Sequence, residues 1–131
     1  MTKKIILSLI VLFCLSGVLR AEEYGVFSPD KKLEVRLRVD GQTMFEVWYN
    51  REKMVGSSAI GMHLSDGRTV GADAVTSVKK KRVNGKIDVV VGKNKTLKES
   101  YNEIVLSYGK DYDLVVRAYN EGWAYRFMTH L

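Results

Sequence analysis

The chain consists largely of short runs in which hydrophobic and polar side chains alternate. Between residues 33 and 40, Leu33, Val35, Leu37 and Val39 share one face, and charged residues occupy the other. A period of two is that of a half-buried strand with one face in water. Runs of this kind recur roughly every 8–12 residues, and no later stretch shows a convincing helical period. The pattern therefore predicts an all-β protein, folded as an antiparallel β-sandwich.

Turn-forming residues separate the predicted strands. We expect turns at 28–30, 50–52, 66–67, 84–85, 109–111 and 120–122. Asn84-Gly85 is the strongest of these signals, because both residues tolerate positive φ. It predicts a hairpin between a strand at Val75–Val83 and a strand at Ile87–Val91. In the last turn, Gly122 is expected to take positive φ as Ala118 and Trp123 approach each other across the strands.

Two sheets of this kind must bury their apolar faces against each other. The alternation predicts which residues line the inner face: Leu33, Val35, Leu37, Val39, Leu114, Val116, Tyr125 and Phe127.

The N-terminal segment has a different pattern. Lys3 and Lys4 precede an almost unbroken apolar run, Ile5–Leu15, and Ala21 stands before an acidic start. This order is typical of a secretory signal peptide, and the run is shorter than the roughly 20 residues that span a bilayer. A retained N-terminal anchor is the alternative. We expect a signal peptide at 1–21, an exported domain at 22–131 that is periplasmic or secreted, and no membrane partner after cleavage.

Composition adds little to this picture, except that the expected signal peptide contributes much of the net charge. The 131 residues suffice for one domain, and their balance of 46% hydrophobic and 27% charged residues is that of a globular protein. Removing residues 1–21 lowers the net charge from +6 to +3 and removes the only cysteine, Cys14. A disulfide scaffold is therefore excluded, and we expect no nucleic-acid partner.

The most basic segment of the chain is Lys79–Arg82. One interpretation is a strip that binds a polyanion. The other is a solvated hairpin or edge strand, where lysines discourage pairing between molecules. Export to a compartment without nucleic acid favours the second interpretation.

Residues with catalytic potential are few and scattered. His63 and His130 are not at metal-ligand spacing, and the carboxylates cannot be paired from sequence. Trp48, Tyr119 and Trp123 are candidates for contact with a carbohydrate or with another domain, because their rings offer flat faces. Aromatic residues in the strands of a sandwich are, however, more often part of the core.

The last third of the chain carries a resemblance. Tyr101-Asn102-Glu103, followed by the stretch 116–127 with its Arg-Ala-Tyr-Asn-Glu-Gly-Trp-Ala-Tyr-Arg-Phe order, resembles the N-terminal domain of glycoside hydrolase family 97. Ser28-Pro29-Asp30 and Ile60-Gly61-Met62 agree with the start of that domain. The family consists of exported bacterial α-glucosidases and α-galactosidases.

The resemblance implies a galactose-mutarotase-like supersandwich, of which this chain holds a part. It also implies that the catalytic carboxylates and a calcium ion belong mainly to a (β/α)8 barrel that follows. The chain looks like a member truncated before that barrel, so we expect no catalytic residue and no cofactor in it.

The sequence thus predicts a non-catalytic N-terminal sandwich that packs on a catalytic barrel, if one is expressed elsewhere, and is associated with α-linked oligosaccharide. The alternative is a free-standing periplasmic module for carbohydrate binding or protein interaction. A polyanion binder that acts through Lys79–Arg82 is the third possibility.

Overall fold

The computed structural model describes residues 21–88, 90–91 and 96–130, and this part of the chain is built from strands. The predicted signal peptide, apart from Ala21, lies outside these residues. The strands are β1 (Glu22–Phe27), β2 (Leu33–Val39), β3 (Thr43–Tyr49), β4 (Glu52–Ile60), β5 (Met62–His63), β6 (Thr69–Val70), β7 (Ser77–Asp88), β8 (Thr96–Tyr108), β9 (Tyr112–Tyr119) and β10 (Gly122–Thr129). Within the described ranges, no helix is long and apolar enough to cross a bilayer.

Two antiparallel sheets form the sandwich that the alternation predicts. The first sheet has the order β1-β2-β3-β4, and the second has the order β10-β9-β8-β7. A small two-stranded sheet, β5-β6, lies between them in the sequence. β1 contacts β8 and β9, and β2 contacts β9, so the two large sheets face each other.

The core lies between the inner faces of the two sheets. The first sheet and β6 contribute Val26, Leu33, Val35, Leu37, Val39, Val47, Ile60 and Val70, and the second sheet contributes Ile104, Leu106, Tyr108, Tyr112, Leu114, Val116 and Ala118. The period-two prediction is confirmed for β2 and β9, because each buries every second residue. The residues between them are more exposed, except Val115 of β9, which is also buried.

One predicted core residue is not buried. Tyr125 lies on the same side of the second sheet as Val116, its partner on β9, but its side chain is 50% exposed. β10 is the outermost strand of its sheet, and Tyr125 is stacked beside Trp123 without being covered. Phe127, two residues further, is partly buried against the core.

Several predicted turns are confirmed. Asn50 and Arg51 both take positive φ, 48° and 67°, between β3 and β4. Gly67 (φ 87°) turns the chain between β5 and β6, and Gly109 (φ 66°) turns it between β8 and β9. In each case the residue accepts the left-handed backbone that a tight hairpin needs.

The prediction of a hairpin turn at Asn84-Gly85 is wrong. β7 continues through both residues to Asp88, and Asn84 and Gly85 pair with Ser100 and Glu99 of β8. The chain instead reverses between Asp88 and Thr96. The strand pairing with β8 overrides the local turn preference, because the ladder supplies backbone hydrogen bonds on both sides of the dipeptide.

The expectation for Gly122 is also wrong. Trp123 does pair with Ala118, as predicted, but positive φ is not found at Gly122. A Cβ atom built on Gly122 would meet nothing within 4 Å. This hairpin therefore does not depend on glycine at its first strand position.

Candidate functional site

Trp48 lies on the outer face of the first sheet, among charged side chains. The Arg36 guanidinium lies 4.2 Å from the centre of its ring and the Lys53 ammonium lies 5.2 Å from it. The indole Nε1 donates a hydrogen bond of 3.1 Å to Glu46. Hydrogen bonds from Lys53 and then from Trp48 lower the pKa of Glu46, so this carboxylate stays charged in its pairs.

A depression of about 420 Å³ lies beside this group, lined by Arg36 and Glu46, two partners of Trp48, but not by Trp48 itself. Its other lining residues include Gly25 and the charged side chains of Glu23, Glu34 and Arg38. Arg36 is bound to Glu34 at 2.9 Å. A carboxylate and a guanidinium can both hydrogen-bond to a hydroxyl group, so the depression has the chemistry of a polar ligand site.

Tyr119 lies on the outer face of the second sheet, in a compact cluster. Its ring packs on Tyr101 with 5.2 Å between centroids, and the Arg117 guanidinium lies 4.3 Å above the Tyr101 ring. Arg117 Nε donates to Glu103 at 2.7 Å, and Lys81 approaches the same carboxylate at 3.4 Å. The hydrogen bond to Glu103, and then that to Tyr119, raise the pKa of Arg117. Glu103 is only 5% exposed, and Arg117 and Lys81 are its two ionic partners.

Trp123 has a third environment, at the edge of the core. Its ring packs on Phe45 of the facing sheet at 4.9 Å and on Tyr125 at 5.7 Å. Phe45 belongs to the first sheet, so Trp123 helps to join the two sheets along β10.

The structure does not bring the three candidate aromatic residues together. Trp48 and Tyr119 lie on the outer faces of different sheets, whereas Trp123 faces inward. Each ring already has an aromatic or cationic partner within the chain. The three residues therefore do not form one binding platform.

Sequence reasoning missed the cluster of Tyr101, Glu103, Arg117 and Tyr119. Residues at i and i+2 on a strand share a face, and β8 and β9 pair Glu103 with Arg117 directly. All four belong to the stretches that carry the family resemblance. Two neighbouring asparagines bind the first turn: Asn102 Nδ2 donates to the Phe27 carbonyl at 2.7 Å, and the Asn120 side chain accepts from the Asp30 amide at 3.0 Å.

The histidines have ordinary partners. His63 Nδ1 lies 3.1 Å from the Thr69 hydroxyl on an exposed hairpin, and His130 Nε2 lies 3.1 Å from Asp113. In the part of the chain that the structure describes, no three His, Cys, Asp or Glu side chains are grouped so as to hold a metal ion.

Comparison with known proteins identifies the domain. The family described as Glycosyl-hydrolase 97 N-terminal matches residues 26–130. A retaining alpha-galactosidase of Bacteroides thetaiotaomicron is 27% identical over 128 residues, which cover 97% of this chain but 19% of that protein.

Solved structures show the same fold. A Glycoside Hydrolase Family 97 enzyme of Pseudoalteromonas sp. strain K8, in complex with panose, superposes with a TM-score of 0.71 at 16% identity, over 81% of this chain and 17% of that one. A beta-arabinopyranosidase superposes with a TM-score of 0.62 at 22% identity, over 79% of this chain and 18% of that one. The chain thus spans less than a fifth of the length of each of these proteins. The sequence match and the sandwich agree, and this chain belongs to glycoside hydrolase family 97, as its N-terminal β-sandwich domain.

Proposed function

We propose that this domain is non-catalytic and that its role is to dock on the catalytic part of a family 97 enzyme, which acts on α-linked glycosides. The observation that carries the proposal is the aromatic edge, which we define as Trp123, Tyr125 and Phe127 on β10. It combines an outermost strand with an aromatic side chain that the sandwich leaves half exposed.

The aromatic edge continues the core outward. Through the β9–β10 register, its three residues lie beside Ala118, Val116 and Leu114, which are all completely buried. Trp123 packs on Phe45, and Phe127 packs on Tyr112. Among the described residues, the aromatic contacts of Tyr125 are with its two neighbours on β10. Exposed aromatic surface next to a core is typical of a face that another domain covers.

The lengths of the relatives support the same role. Their chains contain several times as many residues as the matched segment, so a domain of this kind normally has a large neighbour. Exposed hydrogen-bonding groups along β10 would add to the aromatic contacts, because within the described ranges this strand is paired with β9 alone.

Carbohydrate binding is the second candidate, and the depression beside Trp48 is what favours it. Its size and its carboxylate and guanidinium groups suit the hydroxyl groups of an α-linked oligosaccharide. A sugar that stacked on Trp48 would, however, have to share the ring with Arg36 and Lys53. Docking is therefore the better supported role. The alternative is a free-standing sugar-binding module, and the test must distinguish the two.

The first test is to read the DNA downstream of this coding sequence. We expect it to encode a (β/α)8 barrel, in frame or in a neighbouring frame. That barrel would be produced separately and its affinity for the full chain measured by calorimetry.

Tyr125→Ser should weaken barrel binding by about tenfold or more, as is usual for a central aromatic contact. Tyr49→Ser is the matched control, because Tyr49 is also partly exposed but lies on β3 of the other sheet, and it should bind as the wild type does. If the Tyr125→Ser variant bound the barrel as tightly as the wild type, docking through this edge would be contradicted. Docking would also be contradicted if the wild-type chain did not bind the barrel but bound an oligosaccharide, and if Trp48→Ala abolished that binding.

A further inference from the structure

The first sheet has a flat edge at β1. Among the described residues β1 pairs with β2 alone, and all of its residues pair without a register shift. Edge strands are usually protected from pairing with another molecule by a lysine, a proline or a β-bulge. β4 has register shifts against β3, and β7 carries Lys79–Arg82, but β1 has none of these features. β1 is therefore open to a further strand.

The hydrogen bonds at the end of β1 show which of its backbone groups are available. The Ser28 amide donates to the Leu33 carbonyl across the sheet at 2.8 Å. Bonding to the partner alternates along an antiparallel strand, so the even-numbered residues of β1 bond to β2 and the odd-numbered residues point outward. The Phe27 carbonyl agrees with this direction, because it accepts from Asn102 Nδ2 at 2.7 Å. The backbone groups of residues 23 and 25 are thus available to another strand.

Two cations lie beside this edge, on the inner face of β7. The sheets face each other with β1 over β8 and β9, so a strand added to β1 comes to lie over β7. Lys80 points to that side, since it is opposite the core residue Ile104, and alternation places Val78 and Arg82 on the same face. Among the described residues neither cation takes part in an ion pair. The next acid on this face of β7, Asp88, lies about 20 Å along the strand from Arg82.

We infer that two copies of this chain pair through β1, in antiparallel orientation, around a twofold axis at Tyr24. This register places Glu23 opposite Gly25 of the second copy, so their outward amides and carbonyls bond to each other on both sides of the axis. Glu22 is then opposite Val26, and no two like charges face each other. The two four-stranded sheets become one continuous sheet.

The direction of the strands supplies the charge complementarity. The Phe27 end of β1 lies beside Asn102, which is the β8 partner of Arg82. The second copy's β1 runs in the opposite direction, so its first residue arrives at that end. The even-numbered side chains of β1 face the second sheet, because their partners on β2 belong to the core. Glu22 of the second copy therefore lies beside Lys80 and Arg82, and the symmetric contact forms on the other side.

The dimer leaves the aromatic edge accessible. β10 lies at the other side of the sandwich, where Trp123 contacts Phe45 of β3. The inference is therefore independent of the docking role, and both contacts fit on one molecule.

The test measures the molecular mass of the exported full chain by sedimentation over a range of concentrations. Every sample carries Tyr125→Lys, which removes association through the aromatic edge. We expect an equilibrium between monomer and dimer in this background, without larger species, because a twofold contact closes on itself. A chain that stays monomeric at every concentration would overturn the inference.

The backbone arm of the test changes Gly25. Gly25→Pro removes an outward amide from each copy but no hydrogen bond between β1 and β2, so the dimer should dissociate about tenfold more readily or more. Gly25→Ala is the matched control, since it keeps the amide and its Cβ atom lies 3.8 Å from Glu34, at ordinary contact distance. The control should dimerise as the background does. Equal dimerisation of the two variants would contradict pairing through β1.

The charge arm uses reversal and rescue. Glu22→Lys should weaken the dimer by about tenfold, because two attractive contacts become repulsive. Lys80→Glu with Arg82→Glu should weaken it similarly, and the combination of all three changes should restore it. Glu52→Lys is the matched control, because Glu52 is exposed on β4 at the opposite edge of the sheet, and it should have no effect. A combined variant that is weaker than either parent would overturn the inference.

A crosslink tests the register. Tyr24 lies at the proposed axis, so Tyr24→Cys places two sulfur atoms within reach of a disulfide between the copies. Cys14→Ser removes the one natural cysteine in all samples. Oxidation should convert the Tyr24→Cys chain to a dimer that a reducing agent separates, whereas Glu52→Cys should remain uncrosslinked. Equal crosslinking of the two variants, or none at Tyr24→Cys, would contradict the proposed pairing.

Discussion

At the scale of single residues, the most constrained position is Gly71, which joins the small sheet to both large ones. Its carbonyl accepts hydrogen bonds from the Thr43 amide and hydroxyl, at 2.9 and 2.8 Å, and its amide donates to the Tyr112 hydroxyl at 2.8 Å. Its φ is 96°, and a Cβ atom here would lie 2.7 Å from the Ile60 carbonyl oxygen. Both the backbone conformation and the space therefore require glycine.

Gly71→Ala should lower the free energy of unfolding by roughly 2–4 kcal/mol, because it adds backbone strain to a steric clash with main chain. Gly122→Ala is the control, because Gly122 has neither positive φ nor a close neighbour, and it should change stability by less than about 0.5 kcal/mol. Urea unfolding of both variants measures the difference. Equal stability of the two variants would show that the Gly71 contacts are not needed.

The tyrosines around Gly71 predict a loss of stability in alkali. Burial, and then the hydrogen bond to Asp73, raise the pKa of Tyr112 from 10.0 to about 12, and burial raises the pKa of Tyr108. The unfolded chain therefore loses these protons first as pH rises, so stability is complete below about pH 10 and falls between about pH 10 and 12.

We expect a decrease on the order of 1 kcal/mol from Tyr112 across this range. Urea unfolding at several pH values, with phenolate absorbance as the record of ionisation, measures it. Tyr112→Phe should be less stable at neutral pH, because it loses the contacts to Gly71 and Asp73, but its stability should depend less on pH. An equally steep loss in this variant would place the effect at other groups, such as Tyr24, whose pKa is also raised to about 12.

At the scale of the elements, the sequence predicted those strands whose two faces differ. β2 buries alternate residues, and β9 does so apart from the additional buried Val115, so the period-two pattern locates both strands and their inner faces. β7 is exposed on both faces over almost its whole length, so no pattern marks where it ends. The predicted end of this strand therefore rested on the Asn84-Gly85 turn signal alone. A turn at that point would leave residues 96–100 of β8 without their partners on β7.

Gly85→Val tests this reassignment. In a tight turn with positive φ, valine would be strongly destabilising, but Gly85 lies in a strand, opposite Glu99, with nothing within 4 Å of a Cβ atom. The substitution should leave stability unchanged or raise it by up to about 1 kcal/mol, because a β-branched residue favours the strand. Thermal unfolding and amide exchange of β7 measure this, and a loss of several kcal/mol would restore the turn assignment.

The candidate site was harder to predict than the strands. Sequence order does not show that Tyr101, Glu103, Arg117 and Tyr119 meet, because their contact depends on the register between β8 and β9. Trp48, Tyr119 and Trp123 were selected by residue type alone, and they belong to three separate surroundings. The family resemblance was more informative, since it rested on the order of many residues at once.

At the scale of the whole molecule, we expect no glycosidase activity from this chain. Cleavage of a glycosidic bond needs two carboxylates placed on either side of it. Glu103, the one buried carboxylate among the residues that the structure describes, is paired with Arg117 and Lys81. The purified chain should not hydrolyse aryl α-glucosides or α-galactosides. Turnover above the buffer background that a carboxylate substitution in this chain abolished would contradict this expectation.

The exposed edge predicts self-association when the chain is produced alone. Tyr125 and the outer side of β10 offer aromatic surface and strand hydrogen bonds to a second copy. Sedimentation velocity should show a species larger than the monomer at high protein concentration, and Tyr125→Lys should shift the chain toward the monomer. Monomeric wild-type protein with a high, cooperative melting transition would contradict the prediction.

The order of the strands has a consequence for synthesis. All neighbours in each large sheet are consecutive in the chain, so residues 22–60 contain the first sheet and residues 77–129 the second. Pairing between consecutive strands closes only short loops, which favours rapid local formation. The first sheet can therefore assemble while the second is still being translated. During that interval its inner face, with Val35 and Leu37, is bare, and the chain is most vulnerable to aggregation before β8 and β9 arrive to cover it.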